Sequence, residues 1–352
     1  MAEDANMLQD SAGRLFADHF PPRVVAAAER GEWPAEGWAA IEDAGFTRAL
    51  VSEDAGGYGV SSTEALSILH AAGSHAVPLP LAETMAASWL LSNAGLPIPD
   101  GPLSIAPVLA ADRLHAAPIA TGWRITGTAH RIPWGRNVGA IAVLAEAAEG
   151  LVVALVPADG WTTTHSTNLA QEPRDTLSFH ADIPHTSALP AGTDVAQLRR
   201  LGAAMRCLQI AGALAHMLDA TVQYALDRKQ FGKPIGKFQA VQQNLAILAS
   251  QTAAASAAAD IAAEAVGRDL SAIAIGAAKL RCGEAAGIGA NLAHAVHGAI
   301  GFTYEHSLHF FTKRLWSWRD EFGNETEWGL LLGRHIAARG PDNFWYDLTD
   351  AA

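Results

Sequence analysis

Three apolar segments in the C-terminal half of the chain constrain the fold most strongly. Residues 198–227, 238–267 and 270–298 each run for about 30 residues and are rich in Ala and Leu at helical spacing. A further helix is expected after Phe311. Together these segments predict a long four-helix bundle within 195–352. Gln, Arg, Asp or His interrupts each apolar stretch, which argues against a membrane span of about 20 apolar residues.

The rest of the sequence has two different patterns of apolar residues. Residues 1–95 are mostly helical in pattern, whereas 96–190 contain short apolar or alternating runs separated by Pro and Gly. Such runs predict a small antiparallel barrel or sandwich. The whole chain is therefore expected to be α+β, mostly α. We expect an N-terminal helical domain (1–95), a middle β domain (96–190) and a C-terminal helical bundle (195–352).

Composition narrows the class of protein. The net charge of −12 argues against a nucleic-acid partner. The N-terminal residues MAEDANMLQD lack a basic and apolar secretory signal, so a cytoplasmic location is expected. Cys207 and Cys282 have no metal spacing and are expected to be buried thiols. His294 and His297 lie three residues apart, but no third ligand accompanies them. We therefore predict core or interface histidines and no metal site.

A basic segment at 227–243 is the most informative motif. It reads Asp-Arg-Lys-Gln-Phe-Gly-Lys-Pro-Ile-Gly-Lys-Phe-Gln-Ala-Val-Gln-Gln. Gly and Pro stop helices, so one helix should end near Arg228 and another begin near Gln239. An apolar wedge in this corner is surrounded by the cations Arg228, Lys229, Lys233 and Lys237. Such a corner is suited to an anionic, partly flat ligand; the alternative is a helical hairpin with solubilising basic residues.

This segment resembles the RxxFGxPIxxFQ signature of flavin-dependent acyl-CoA dehydrogenases. In that family the corner holds the diphosphate of FAD bound to a neighbouring subunit. The resemblance extends to the expected domain order and covers nearly the whole chain. It implies that the cofactor-binding residues of this segment are Arg228, Gln230, Phe231 and Gln239.

A second segment, 294–302, is similar to the QxxGGxGF element of the same family. In the family this element contacts the adenosine diphosphate of FAD across a dimer interface. The resemblance implies that Gly298 and Ala299 bind cofactor through their backbone. The segment departs from the pattern, because Ala295 stands where Gln is usual and Ala299 replaces the second glycine. The alternative is that Gly298 only caps the preceding helix.

The resemblance implies α,β-dehydrogenation of an acyl-CoA thioester, with FAD as cofactor and electron-transfer flavoprotein as electron acceptor. In that chemistry a Glu abstracts the α-proton. Counting without gaps from Phe302, the usual base position falls on Phe322, and the less common position, near Gly202, has no acid nearby. Both usual bases are therefore absent.

Two carboxylates flank the expected base turn. Glu321 is the candidate catalytic residue and Glu325 its alternative, while Asn324 in the same turn is a further candidate cofactor contact. The structural interpretation is that Arg319 pairs with one of the two glutamates. We favour this interpretation because displacing a base by about 1 Å already costs roughly 10²-fold in rate.

The family motifs that handle the flavin ring are also largely rewritten. The TEPxxGSD region corresponds here to 103–109, which reads LSIAPVL, and the WIT region corresponds to 131–136, which reads RIPWGR. Pro133 thus replaces the hydroxyl-bearing residue. The basic segment 227–243, which would bind the diphosphate, thus keeps the family pattern, whereas the two motifs that would bind the flavin ring do not.

This asymmetry indicates that the chain is the degenerate, non-catalytic subunit of a mixed α2β2 acyl-CoA dehydrogenase. Its Arg228 and Gln239 would then contact a flavin whose ring is bound by the partner subunit. One alternative is a self-sufficient homo-oligomeric enzyme that uses Glu321 or Glu325. Another is a non-catalytic scaffold that has lost FAD. The expected partners are an acyl-CoA and a second chain of the family or another copy of this one. The acyl group stays open, because an acyl pocket is built from ordinary apolar side chains.

Overall fold

The computed structural model describes residues 2–184, 186–188, 194–343 and 345. In this part of the chain, helices precede a β-sheet, and longer helices follow it. Contacts divide the chain into two compact units. The first unit comprises Met1–Ala27, Leu66–Val77 and Ala203–Ala352, and the second comprises Ala28–Ala65 and Pro78–Gly202.

Short helices occupy the N-terminal region, as its pattern predicts. They are α1 (Ala2–His19), α2 (Pro22–Glu29), α3 (Ala35–Asp43), α4 (Ser62–Ser74) and α5 (Leu81–Asn93). Helix α5 is buried along nearly its whole length in the second unit. Its Thr84 hydroxyl accepts from Leu103 N at 3.0 Å, which ties the helix to the first strand of the sheet.

One curled sheet forms the middle of the chain. Its described strands are β1 (Leu103–Ala106), β2 (Arg113–Ile119), β3 (Gly122–Pro133), β4 (Ala140–Ala147), β5 (Gly150–Pro157), β6 (Trp161–Thr164), β7 (Arg174–Ile183) and β8 (Thr186–Ala188). The order is β6-β7-β3-β2-β4-β5-β8, with β1 beside β4. Most pairs are antiparallel, as predicted, but β1 and β2 each pair with β4 in parallel.

Long helices fill the C-terminal region. They are α6 (Val195–Asp227), α7 (Gln239–Val266), α8 (Ala272–His297), α9 (Leu308–Trp318) and α10 (Glu325–Arg339). The three long helices agree with their predicted bounds to within a few residues. The helix expected after Phe311 is instead two shorter helices, because Phe322 (φ +57°) and Gly323 (φ +103°) turn the chain between them.

Close helix packing forms the core of the first unit. A Cβ added to Gly212 on α6 would lie 1.9 Å from the carbonyl oxygen of His70 on α4. One added to Gly73 would lie 2.1 Å from that of Gln209. Glycine is therefore required at this crossing. The predicted burial of the thiols is also confirmed, since Cys207 and Cys282 are inaccessible to solvent.

Among the described helices, α6 and α7 are long and apolar enough to cross a membrane by length and composition alone. The apolar window of α6 is 83% buried within the protein, as in the core helix of a folded domain, whereas that of α7 is 33% buried. Helix α7 therefore presents an apolar surface that the described residues leave largely uncovered.

Candidate functional site

The segment between α6 and α7 forms a tight hairpin. Helix α6 ends at Asp227, and strands β9 (Lys229–Gln230) and β10 (Lys233–Pro234) pair across a turn at Phe231 and Gly232. Both turn residues have positive φ, +51° and +79° respectively. The predicted corner is therefore present, with a helix on each side of a short basic loop.

Arg228 is fixed at the base of this hairpin. Its backbone N–H donates to Tyr224 O at 2.9 Å, and its carbonyl accepts from Ile235 N at 2.8 Å. The backbone of Arg228 is thus bonded to the end of α6 and to the returning strand. Its side chain is exposed and available to an anion.

A cavity of about 390 Å³ brings the two predicted cofactor segments together. Its lining residues are Tyr224, Arg228, Gln230, Ile235, Val296, His297, Gly298, Ala299 and Ile300. We call this space the Arg228 cavity. Four of the residues predicted to bind cofactor line it: Arg228, Gln230, Gly298 and Ala299.

Gly298 lines the Arg228 cavity at the C-terminal end of α8. It ends α8 with φ +65° and ψ −145°, a conformation almost restricted to glycine. Its N–H donates to His294 O as the C-cap of α8. A Cβ added here would meet no described atom within 4 Å. The backbone of Gly298 is therefore accessible to a ligand, as well as capping the helix.

The other predicted cofactor residues lie outside the lining of this cavity. Phe231 is 91% exposed at the tip of the hairpin. Gln239 is the first residue of α7 and is also exposed. The Asn324 side chain accepts from Thr326 N at 3.0 Å and Glu327 N at 3.1 Å, so it caps α10. For these residues cofactor binding stays a prediction.

Sequence reasoning did not identify Tyr224 and His297 as cavity residues. The Tyr224 ring stacks on the His297 imidazole at a centroid distance of 4.4 Å. Its hydroxyl donates to His297 O at 3.3 Å. The available signal was helical spacing, because Tyr224 lies in the last turn of α6, four residues before Arg228.

The Arg228 cavity fits the adenosine diphosphate end of FAD. A guanidinium suits a diphosphate, and an open glycine backbone allows close approach. His297 also lines the cavity, and its Nε2 is buried without a hydrogen-bond partner among the described residues.

The strand residues that correspond to the ring-handling motifs fit a flavin ring less well. Ser104 is fully buried in β1, and its hydroxyl donates to Pro133 O at 2.6 Å. That hydroxyl is therefore engaged within the sheet. Pro133 has no backbone N–H and no hydroxyl to offer.

The turn at the expected base position is closed by an ion pair. Phe322, at that position, is 7% exposed, and the Arg206 guanidinium lies 5.6 Å from its ring centroid. Arg206 Nε donates to Glu321 Oε2 at 2.8 Å. Arg206 is 2% exposed and also donates to Gln209. If Glu321 accepted a proton as a base, it would become neutral and the buried Arg206 would lose its counter-charge.

The second carboxylate is paired as well. Arg319 Nε and Nη2 lie 3.0 Å and 2.9 Å from Glu325 Oε1. The expected pairing of Arg319 with one of the two glutamates is thus confirmed. The Lys279 ammonium holds the same turn, donating to Arg319 O at 2.6 Å and Gly323 O at 2.9 Å. Complete burial lowers the pKa of Lys279 from its ordinary value.

Comparison with known proteins identifies the family. The acyl-CoA dehydrogenase N-terminal domain matches residues 2–97, and the acyl-CoA dehydrogenase C-terminal domain matches residues 192–318. The chain is 27% identical to acyl-CoA dehydrogenase IpdE2 of Mycolicibacterium smegmatis over 321 residues, 89% of this chain and 93% of that protein.

Solved structures agree with this match. The ChsE4-ChsE5 complex from Mycobacterium tuberculosis superposes with a TM-score of 0.87 and 26% identity, covering 96% of this chain and 98% of the other. The Tcur3481-Tcur3483 steroid ACAD G363A variant shares the fold, with a TM-score of 0.85, 24% identity and coverage of 96% and 98%. The two matched domains together span more than half of the sequence, and the chain therefore belongs to the acyl-CoA dehydrogenase family of oxidoreductases.

Proposed function

We propose that this chain is the non-catalytic partner in a mixed acyl-CoA dehydrogenase complex. It contributes the Arg228 cavity to the adenosine diphosphate part of an FAD whose ring is held by the partner chain. When bound, FAD supplies the acceptor for the hydride that leaves the acyl β-carbon. The complex would oxidise an acyl-CoA thioester and pass electrons to electron-transfer flavoprotein in the cytoplasm.

The observation that carries this proposal is the convergence of 224–235 with 296–300 on one cavity. These segments are about 60 residues or more apart in sequence, yet both line the same space. Arg228 supplies the positive charge that an acidic chain, with net charge −12, must concentrate locally to bind a diphosphate. Gly298 supplies backbone that a ligand can approach closely.

The state of the base turn supports a non-catalytic role. Phe322 has no proton-accepting group, and Glu321 is held by a nearly buried arginine. A general base must be free to reach the proton that it abstracts. Glu325 is held by Arg319 in the same way. The self-sufficient enzyme would therefore need to break an ion pair before either carboxylate could act.

The relatives favour a second chain. Two of the similar structures have two named components each, ChsE4-ChsE5 and Tcur3481-Tcur3483. The latter is a steroid ACAD, and a bulky steroid thioester is our proposed substrate for the mixed complex. The apolar surface left on α7 provides an area for association.

The test is co-expression of this chain with a family member that carries TEPxxGSD and a base. We expect a colourless chain when it is purified alone, and a yellow, active complex after co-expression. A yellow and active chain alone would favour the self-sufficient enzyme. Colourless protein under both conditions would favour the scaffold without FAD.

Arg228→Ala tests the cavity within the complex. A charge-assisted arginine–phosphate contact is worth roughly 1.5–3 kcal/mol, so FAD retention should weaken by about tenfold or more. The matched control is Arg268→Ala, which removes the same charge from an exposed pair with Glu264. Equal FAD content in the two variants after gel filtration would contradict the proposal.

A further inference from the structure

Cys207 and Cys282, the two cysteines of the chain, meet in the core of the first unit. Cys207 lies on α6 and Cys282 on α8, and neither residue is accessible to solvent. Their side chains are hydrogen-bonded to each other. The Cys282 thiol also donates to Ala255 O on α7, at 3.5 Å. Two thiols from different helices are thus in contact, and the proposed function uses neither of them.

Close packing of α6 against α8 keeps the two cysteines at the same level. A Cβ added to Gly289 on α8 would lie 2.6 Å from Leu214 Cδ2 on α6. Leu214 is seven residues after Cys207, and Gly289 is seven residues after Cys282. Seven residues are about two helical turns, so the two helices run side by side in the same direction over this length. A disulfide needs Cα atoms about 4.4–6.8 Å apart, a range that facing positions on closely packed helices reach.

The surroundings protect the reduced pair. The hydrogen bond with Cys207 and burial raise the pKa of Cys282, while Lys279 and Arg281 act in the opposite direction. The thiolate is the form that reacts with an oxidant, so Cys282 is unreactive while the core is closed. A small uncharged oxidant that enters when α6 and α8 separate locally meets both sulfur atoms at once. We therefore expect a slow oxidation that ends at a disulfide.

We propose that Cys207 and Cys282 form a reversible disulfide between α6 and α8 when the protein is exposed to hydrogen peroxide. The peroxide oxidises one thiolate to a sulfenic acid, and its O–O bond breaks with release of one water. The second thiol then attacks that sulfur, the S–S bond forms, and the sulfenic oxygen leaves as a second water. The two thiols lose two electrons and two protons, which reduce one hydrogen peroxide to two waters. A thiol reductant reverses the step by thiol–disulfide exchange.

The bond forms beside the residues that hold the turn between α9 and α10. Cys207 follows Arg206, which pairs with Glu321. Cys282 lies three residues after Lys279, which donates to two carbonyls of the same turn. The covalent loop also encloses all of α7 and the hairpin that precedes it. Closing a long loop removes conformational freedom from the unfolded chain and thereby stabilises the folded one, so oxidation should raise the melting temperature.

The test treats the purified full-length chain with hydrogen peroxide and then blocks the remaining thiols with N-ethylmaleimide in denaturant. Intact mass spectrometry should show a mass lower by two hydrogen atoms and no maleimide, whereas the untreated chain carries one maleimide on each of its two cysteines. Digestion without reductant should release a pair of peptides joined at Cys207 and Cys282. The oxidised chain should melt about 5 °C or more above the reduced chain, and a phosphine reductant should abolish the difference.

Cys207→Ala and Cys282→Ala are the matched controls. Each variant keeps one buried thiol but cannot form the bond, so peroxide should not raise its melting temperature. A treated wild-type chain that keeps two free thiols, or that carries sulfinic acid at either cysteine, would overturn the inference. A disulfide between two chains, or an oxidised wild type that melts no higher than the reduced one, would overturn it as well. The wild-type measurements decide the question even if a variant folds poorly.

Discussion

Arg206 and Glu321 are separated by 115 positions in sequence, yet Arg206 Nε donates to Glu321 Oε2 at 2.8 Å. This contact joins α6 to the turn between α9 and α10. The arginine is 2% exposed, so the carboxylate balances a charge that is almost completely removed from solvent. The residue best placed by sequence to act as a displaced base thus has a structural partner of its own.

Glu321→Gln separates the structural role from catalysis. We expect turnover by the mixed complex to change less than about tenfold, because no general base is removed. The free energy of unfolding should fall by about 1–3 kcal/mol, since Arg206 loses the charge that it pairs with. Steady-state rates and urea unfolding measure the two effects.

The exposed Glu305→Gln is a suitable control, because it removes the same charge away from the turn. A fall in turnover of several orders of magnitude, with FAD content and folding intact, would identify Glu321 as the base.

Gly298→Ala tests the backbone conformation at the end of α8. The φ of +65° with ψ −145° strains any residue with a Cβ, so the free energy of unfolding should fall by about 1–3 kcal/mol. FAD retention by the complex should fall as well, because the wall of the Arg228 cavity shifts. Thermal melting and flavin absorbance measure these changes.

Gly333→Ala provides the control for Gly298→Ala. Gly333 lies inside α10, and a Cβ added there meets no described atom within 4 Å. We expect this variant to be neutral or more stable by up to about 1 kcal/mol, because alanine favours helix. Equal melting temperatures for the two variants would show that the backbone conformation at position 298 does not require glycine.

Stability should depend on pH through buried histidines of the first unit. Burial lowers the pKa of His294, which stacks on Phe302 at 4.0 Å and lies parallel to Trp316 at 5.8 Å. The unfolded state then binds the proton more strongly than the folded state does. The free energy of unfolding that His294 contributes is therefore complete above about pH 6.5 and decreases as the pH falls below that value. Burial acts in the same direction on the pKa of His70, His297 and His306.

Urea unfolding between about pH 7.5 and pH 5 measures this slope, which amounts to at most about 1.4 kcal/mol per pH unit for each histidine. His294→Phe keeps the aromatic stack and should reduce the slope. An identical slope in the variant and the wild type would assign the pH dependence to other groups.

The uncovered surface of α7 predicts association. Ile247 and Ile261 on α7 are 47% and 46% exposed, and Ile288 on α8 is 41% exposed. We expect at least a dimer, with 238–302 at the interface, and Ile247→Glu should weaken it because a charge would be buried. Multi-angle light scattering measures the mass, with Met7→Glu on α1 as the control. A wild-type monomer at micromolar concentration would contradict this prediction.

Local chemistry made much of the fold predictable from the sequence. The end of α6 and the start of α7 follow from Gly232, whose φ of +79° is not helical, and from Pro234, which lacks the backbone N–H that a helix interior needs. The strands of the sheet follow from alternating or apolar runs between turn residues. The convergence of Arg228 with Gly298 came from the family resemblance, because spacing alone does not bring two distant segments together.

Features set by long-range contacts were not predictable in this way. The parallel pairing of β1 with β4 joins Leu103 to Ala140, and no local pattern specifies such a partner. The break between α9 and α10 depends on positive φ at Phe322, a conformation that a bulky residue rarely adopts without tertiary support. The domain bounds 1–95, 96–190 and 195–352 stay a prediction.

The two backbone bonds of Arg228, from its N–H to Tyr224 O and from Ile235 N to its carbonyl, have a thermodynamic consequence. Ordering the backbone of one residue costs about 1–2 kcal/mol of conformational entropy. Here that loss occurs when the chain folds, before any ligand arrives. An anion that meets this corner has only the arginine side chain left to order, so the hairpin acts as a preorganised anion receptor.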